Sequence, residues 1–458
     1  MELQTSGLFG TSGIRRIVGV DLEPILAVRI GLALGFVLEK GRLTLAKDTR
    51  TSGQMLSSAL AAGALSGGLK VIDLGILPTP ALAYLTKSLG AVSGVVITAS
   101  HNPPEFNGLK LFDSDGKAYD ESLQNQIERV YSSGKLARAS WNQPCDVSSL
   151  DLSLEYIEMV LRQVDLDKKW KAAVDCGSGA AYQLAPDTLR SLHCDTFCLN
   201  DQPDGFFPGR SPEPTLQSVS ALVAAVRNMN CDIGFAYDGD ADRALFVDEQ
   251  GRCVDGDIAL AAFASYKVRK HGGGQVALPI DTSLAAQEAV EKSSGRVVWT
   301  KVGDANVANA IVTRCAIFGG EPCGAWIHPS FHLCPDGILS SIMLLKAIEE
   351  EDTTASEFFS GIKKYPMRRT KIPCQDRAKT EIMRKVEASL PELFGEKTDV
   401  TRIDGIRIQA QNGWILVRAS GTEPAIRITV EARSEQLVED LFSTAHNLCS
   451  SIAKEWKI

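Results

Sequence analysis

Short apolar runs alternate with helical stretches along most of the chain, the pattern of strands and helices that builds mostly parallel sheets. Three of the runs reach an aspartate and then turn through small residues into a helical stretch: LTLAKD before TRTSG, KAAVD before CGSGA, and VALPID before TSLAA. Asp48, Asp175 and Asp281 therefore occupy equivalent strand-to-helix turns. Each run is followed by a second strand, such as LKVIDLG or GRVVWTKVG, and another helical stretch. A third apolar strand follows, SGVVI, CDIGFAY or CAIFGG, and breaks into the polar loop TASHNPPEFNG, DGDADR or GEPCGAW. This is an internal repeat of one α/β unit, faint in identity but consistent in order. Ligands of such folds gather at the carboxyl ends of strands, so the three loops are expected to meet at one site.

Beyond about residue 365 the pattern changes. A helical stretch, DRAKTEIMRKVEASL, precedes the strands IRIQAQ, GWILVRAS and AIRITVEA and a last helix from about Ser434, which predicts a small antiparallel α+β domain. The predicted division is 1–150, 151–252 and 253–365 for the three α/β units, carrying the TASHN, DGDADR and GEPCGAW loops in turn, and 366–458 for the α+β domain.

A length of 458 residues, 44% of them hydrophobic, suffices for several cores. The net charge of −8 lacks the basic excess that tracks along a nucleic acid backbone, which argues against a nucleic acid partner. No charged and apolar leader opens the sequence, and no apolar stretch is long enough to cross a membrane. The eleven cysteines are scattered without a CxxC pair and read as reduced thiols of a cytoplasmic protein.

DGDADR sets Asp238, Asp240 and Asp242 at alternate positions, and three neighbouring carboxylates repel unless a hard cation neutralises them. Oxygen-only ligands favour Mg²⁺ or Ca²⁺ over zinc. An EF-hand calcium loop would place Glu249 at its twelfth position, but its sixth is Arg243 where glycine is required, and the flanks read as strands. Arg243 instead suits an anion shared between metal and guanidinium. Ser100 closes an apolar strand ahead of His101, Asn102 and the stiff Pro103-Pro104 pair, a setting for a nucleophilic hydroxyl. Arg418, Ser420, Gly421 and Thr422 form a compact set of donors for a phosphate. The opening FGTSGIRR adds Gly10, Thr11, Ser12, Gly13 and Arg15, and Glu321 in its glycine-bracketed turn can accept hydrogen bonds from sugar hydroxyls. Each loop taken singly is also compatible with an ordinary turn.

Taken in order, FGTSGIRR, TASHNPPEFNGLKLF, DGDADR, GEPCGAW and RASGTEP resemble the α-D-phosphohexomutase family over essentially the whole chain. The resemblance implies three related α/β domains and a smaller α+β domain. It makes Ser100 the phosphorylated serine, bound with Asp238, Asp240 and Asp242 to one Mg²⁺, with Arg243 on its phosphate. Lys110 and Arg15 fall at positions near the reacting groups, Lys110 as a general acid or base, while His101 braces the loop. Glu321 would read the sugar, and Arg418, Ser420, Gly421 and Thr422 would hold the phosphate that is not reacting. The expected substrates are small hexose phosphates, with a hexose 1,6-bisphosphate as activator and intermediate, and a homodimer is one expected assembly.

This sequence departs from the family's GEQSGH or GEMSGH loop in carrying Pro322, Cys323 and Ala325, so a thiol replaces a hydroxyl among the expected substrate contacts and a histidine is missing. His328 either compensates or is structural. TKVGDANV and RASGTEP look closer to phosphoglucosamine mutases than to phosphomannomutase/phosphoglucomutases. Other readings are a sugar-phosphate phosphatase, in which phosphate escapes to water, and a non-catalytic phosphosugar sensor.

Overall fold

The structure, a computed structural model, describes residues 7–10, 13–134, 136, 138–143, 146–393, 399–410, 412–421 and 424–455. Its first sheet runs in the order Ile14–Ile17, Phe106–Asp113, Ser93–Ile97, Gly41–Lys47, Leu69–Ile76, Val147–Ser149. The last four of these pair in parallel, whereas Phe106–Asp113 runs antiparallel to both its neighbours. Two further sheets repeat this plan with four strands each, a parallel set ending in one antiparallel strand. The predicted mixed, mostly parallel sheets are thus present. In every unit the antiparallel strand follows the chemically unusual loop, so that loop is the hairpin-like return at the sheet's carboxyl end.

Close backbone packing holds the first unit together. Helix Pro24–Leu38 crosses helix Gly53–Ser66 at glycines, and a Cβ added at Gly63 would lie 2.1 Å from the Val28 carbonyl oxygen. Only glycine fits there without moving a helix.

The C-terminal sheet is antiparallel throughout, in the order Met367–Pro373, Ala425–Ala432, Gly413–Ala419, Ile406–Ala410, Asp399–Thr401. Helices Lys379–Ser389 and Glu435–Lys454 cover it, and strands Met367–Pro373 and Asp399–Thr401 are additions to those expected from sequence. The hydrophobic cores divide unequally. One continuous cluster runs from Ala46 to Phe359 through all three α/β units, whereas the last domain closes its own core around Ile408, Ile428 and Phe442. A small cluster of Ile280, Leu284, Tyr365, Trp414 and Leu416 joins it to the third unit. Among the described residues ten cysteines are free, and no helix is long and apolar enough to cross a membrane.

Candidate active site

Ser100 lies just beyond strand Ser93–Ile97, fully buried and with φ at +53°, a conformation that non-glycine residues adopt at a cost of about 1 kcal/mol or more. Its neighbours overdetermine that geometry. The Ser100 amide donates to Thr98 Oγ1 at 2.8 Å, and Arg50 threads its guanidinium through the loop. Arg50 Nη2 donates to the Ser100 and Asn102 carbonyls, Nη1 to those of Pro103 and Phe106, and Nε to Asp48, at 2.6 to 3.0 Å. All five guanidinium donors are used. Asp48 also accepts from Thr98 Oγ1 at 2.6 Å. The pair is fully buried, and deleting one partner of such a pair costs about 3 to 5 kcal/mol.

The second unit repeats the device. Arg210 Nε donates to Asp175 at 2.8 Å and its Nη2 to the carbonyl of Tyr237, the residue before Asp238. In the third unit Asp281 faces arginines that come from the fourth domain, Arg418 and Arg369. Burial pushes the Asp281 carboxyl up and these guanidiniums oppose the shift. The sequence pointed to the three aspartates but not to their arginines, although Arg50 stands only two residues after Asp48.

Ser100 and the aspartate loop meet directly. Ser100 Oγ donates to Asp238 Oδ2 at 2.6 Å, and the Arg243 amide donates to Asp238 Oδ1. Lys110, on strand Phe106–Asp113, donates to Asp240 at 2.7 Å and to Asp242 at 2.5 Å, and Thr79 Oγ1 donates to Asp240 at 2.5 Å. The three carboxylates are buried, and oxygens of all three lie within 4.8 Å of one another. Burial, then the charges of Asp242 and Asp240, push Asp238 well above the usual carboxylate range. Asp242 rises for similar reasons. Burial acts on Asp240 in the same sense, but Lys110 and the Thr79 hydrogen bond outweigh it and hold this carboxyl low. Burial disfavours the charged form of Lys110, yet Asp240 and Asp242 prevail and its pKa is raised.

Two kinds of buried atom here lack a hydrogen-bond partner. Asp240 Oδ1 and Asp242 Oδ1 accept no hydrogen bond, and Arg15 Nε and Arg243 Nε donate none, although Arg243 Nε and Asp242 Oδ1 lie 3.8 Å apart as an ion pair. Buried polar groups are nearly always satisfied, so the first pair suits a cation and the second an anion. A buried, oxygen-only triad with spare lone pairs fits a hard divalent ion. Arg15 Nη1 also reaches Asn102 Oδ1 at 3.2 Å and His101 Nδ1 at 3.5 Å. Burial and the adjacent Arg243, Arg15 and Lys110 lower the His101 pKa to about 2, so the ring is neutral and accepts at Nδ1.

Glu321 follows strand Phe318–Gly320. Its Oε1 accepts from the Gly303 amide at 2.8 Å, and its Oε2 lies 3.7 Å from Cys323 Sγ. Burial and Asp304 push Glu321 up to about 7. Cys323 is exposed and lines a cavity with Arg243, Glu213 and Trp326, so the third loop adjoins the second. His328, by contrast, is in the core against Phe263 and Phe318, its Nε2 3.0 Å from Ser340 Oγ, a structural position.

Arg418 is the penultimate residue of strand Gly413–Ala419 and lies 3.6 Å from Asp404. Ser420 is buried, with its amide donating to the Ala425 carbonyl, and its own carbonyl accepts from Lys379 at 2.7 Å. Gly421 is exposed, while Thr11, Ser12 and Thr422 lie outside the described residues. Sequence reasoning missed Lys379, Thr79 and Asp304; Thr79, in the stiff LPTPA turn, carried the clearest local signal.

Four family models match in succession: phosphoglucomutase/phosphomannomutase alpha/beta/alpha domains I, II and III at residues 6–138, 154–251 and 255–365, and the C-terminal domain at 370–445. Two archaeal proteins named "Probable phosphoglucosamine mutase" are similar over nearly the full length. That of Pyrococcus horikoshii is 41% identical, covering 98% of both chains, and that of Methanothermobacter thermautotrophicus is 43% identical, covering 95% of this chain and 96% of the other. Among solved structures, a phosphoglucomutase/phosphomannomutase family protein from Burkholderia thailandensis superposes with a TM-score of 0.86 at 25% identity, over 97% of each chain. The N-acetylphosphoglucosamine mutase of Aspergillus fumigatus, solved with GlcNAc-6P and magnesium, shares the fold at a TM-score of 0.60 and 17% identity, over 97% of this chain and 96% of that one. With its four domains matched in order and relatives this similar from end to end, the chain belongs to the phosphoglucomutase/phosphomannomutase family and is a phosphohexomutase, an isomerase that transfers phosphate within one molecule.

Proposed function

We propose that the chain interconverts hexosamine 6-phosphate and 1-phosphate, as a phosphoglucosamine mutase, with Ser100 as the carrier of the phosphoryl group. The observation that carries this reading is the contact of Ser100 Oγ with Asp238, beside two further buried carboxylates with unmatched oxygens. Phospho-Ser100 gives its group to the free hydroxyl of the sugar monophosphate, and a bound 1,6-bisphosphate results. The bisphosphate turns end for end, and its other phosphate returns to Ser100, leaving the isomeric monophosphate. Asp238, Asp240 and Asp242 would hold Mg²⁺ with the serine phosphate, and the ion would supply charge neutralisation to the group in transfer.

The chain's own residues do the rest. Arg243 and Arg15, each with a spare buried donor, receive the transferring phosphate. Lys110 is the proposed general acid or base; Asp240 and Asp242 hold it protonated here, so it gives up a proton only once those carboxylates are neutralised by another partner. His101, neutral, braces Arg15. Glu321 and Cys323 read the sugar's hydroxyls or amine, and Arg418, Ser420, Gly421 and Thr422 grip the distal phosphate. Burial of Ser100 keeps water from the phosphoserine, which favours the mutase over a phosphatase. The amino-sugar preference rests on the two archaeal relatives, and phosphomannose or phosphoglucose isomerisation is the alternative that the family description itself names.

A coupled assay with glucosamine 6-phosphate, mannose 1-phosphate and glucose 1-phosphate, given Mg²⁺ and trace hexose 1,6-bisphosphate, tests this reading. Fastest turnover of the amino sugar is expected, and inorganic phosphate as main product would refute it. Intact-mass measurement should find one phosphate on the wild-type chain and none on Ser100→Ala. That variant should keep its melting temperature and lose isomerisation by about 10⁴-fold or more, the scale on which removing a nucleophile acts.

A further inference from the structure

The metal loop is built by the second unit, yet the third unit holds its centre. Helix Gly337–Glu350 begins against the turn between Asp240 and Asp242, and the Gly337 amide donates to the Ala241 carbonyl at 3.0 Å. Ala241 has φ at +58°, the left-handed region that a non-glycine residue adopts at a cost. A Cβ added at Gly337 would lie 2.5 Å from the Arg243 carbonyl oxygen and 3.1 Å from that of Ala241. Alanine is the better helix former, and Gly337 is not in the left-handed region, so the contact with the loop is what requires glycine.

The residue before it is tied to three other places. Asp336 is fully buried and caps the helix through Leu339 N, accepts from Tyr156 of the second unit at 2.8 Å, and lies 2.9 Å from His332 Nε2. Its own amide donates to the Trp326 carbonyl, in the short strand that follows the sugar loop. The two loops also touch directly, since the Ala244 amide donates to the Gly324 carbonyl.

From these contacts we infer that Gly337 is a positioning residue for the metal loop, and that the Asp336–Gly337 junction sets the spacing between the aspartate triad and the sugar loop. The inference rests on the reading of Asp238, Asp240 and Asp242 as the metal site. It predicts that cation affinity depends on a residue that touches neither cation nor sugar.

The test is direct titration of Mn²⁺ into the full chain, free Mn²⁺ being read by electron paramagnetic resonance, alongside steady-state kinetics. Gly337→Ala should bind Mn²⁺ about 10-fold more weakly, the lower end of what an outer partner of a metal site costs. Its kcat should fall by about 10²-fold, as expected of a displacement near 1 Å, with KM moving less. Gly63→Ala puts a Cβ 2.1 Å from a backbone oxygen far from the site and serves as the control for lost stability. It should lower the melting temperature and leave Mn²⁺ affinity as in wild type.

Wild-type affinity in folded Gly337→Ala, or an equal loss in Gly63→Ala, overturns the inference. Should Gly337→Ala not fold, Tyr156→Phe decides, because it removes only the hydroxyl that steadies Asp336. A weakening of about threefold, short of a ligand-orienting loss, supports the inference, and no change overturns it. If the wild-type chain binds Mn²⁺ but isomerises none of the sugars, the proposed function fails while this inference stands on the binding data. If the wild-type chain binds no Mn²⁺, both the metal reading and the inference fall.

Discussion

The loop proposed to hold the metal and the loop proposed to clasp phosphate both follow strands, but they are held in different ways. Asp238, Asp240 and Asp242 are at most 5% exposed and are held from three units, by Lys110 and Thr79 of the first, Arg210 of the second and Gly337 of the third. Arg418, Ser420 and Gly421 sit on a domain with its own core, where Gly421 is exposed, Ser420 is buried and Arg418 pairs with Asp404. That domain meets the third unit through a small shared apolar cluster and a set of polar contacts, including Val302 with Asp404, Glu288 with Arg433 and Asp257 with Arg369. Glu431, fully buried, accepts from Ser283 Oγ, the Leu284 amide and Trp414 Nε1. The Arg407 guanidinium lies between the Trp299 and Trp414 rings and donates to the Ile280 carbonyl. Under the proposed function the difference has a reason. Charge developing on a transferring phosphate is best met by groups that cannot move, whereas a bisphosphate that must turn over needs a grip that can release and close again.

After loss of Ser100 itself, the largest effect should come from the fixed region. Asp240→Asn removes the charge that binds Lys110 and Thr79 and half of the unmatched acceptor pair. A fall in kcat on the order of 10²- to 10³-fold is expected, the scale of losing one preorganised electrostatic group, with the protein still folded. Turnover within a few-fold of wild type across a Mg²⁺ titration would show that this loop is not where charge is neutralised.

Arg418→Ala tests the other side of the comparison and should cost less. Loss of a charged hydrogen bond to phosphate, about 1.5 to 3 kcal/mol, raises KM roughly 10- to 100-fold, with a smaller change in kcat. A collapse of kcat at unchanged KM would place the clasp among the rigid groups and erase the contrast.

The same contrast explains what could be read from the sequence. The three units, the antiparallel last domain and the loops themselves were legible, because strand period, a terminal aspartate and glycine-bracketed polar turns are local signals. Arg50, Arg210 and Gly337 were not. Arg50 acts through carbonyls as far as Phe106, and Gly337 through backbone atoms about a hundred residues away, and neither leaves a pattern of period or composition. His328, which the sequence left as either a substitute for the missing histidine or a structural residue, is the latter, because packing against Phe263 and Phe318 decided its place.

The smallest expected effect lies between the two regions, at Glu321. Burial and Asp304 raise this carboxyl from 4.5 to about 7, so the folded chain favours the neutral acid. A raised carboxyl contributes stability that is complete below about pH 4.5 and is lost as pH climbs to about 7, with a ceiling on the order of 3 kcal/mol. Glu321→Gln has no proton to lose. Its stability relative to wild type should therefore grow between pH 5 and pH 7.5, as read by urea melts at both, while KM for the sugar phosphate rises only about fivefold, one neutral hydrogen bond's worth. Parallel stability profiles for the two proteins would mean that solvent or a neighbouring cation already compensates the Glu321 charge, and the sugar loop would then not belong with the buried triad.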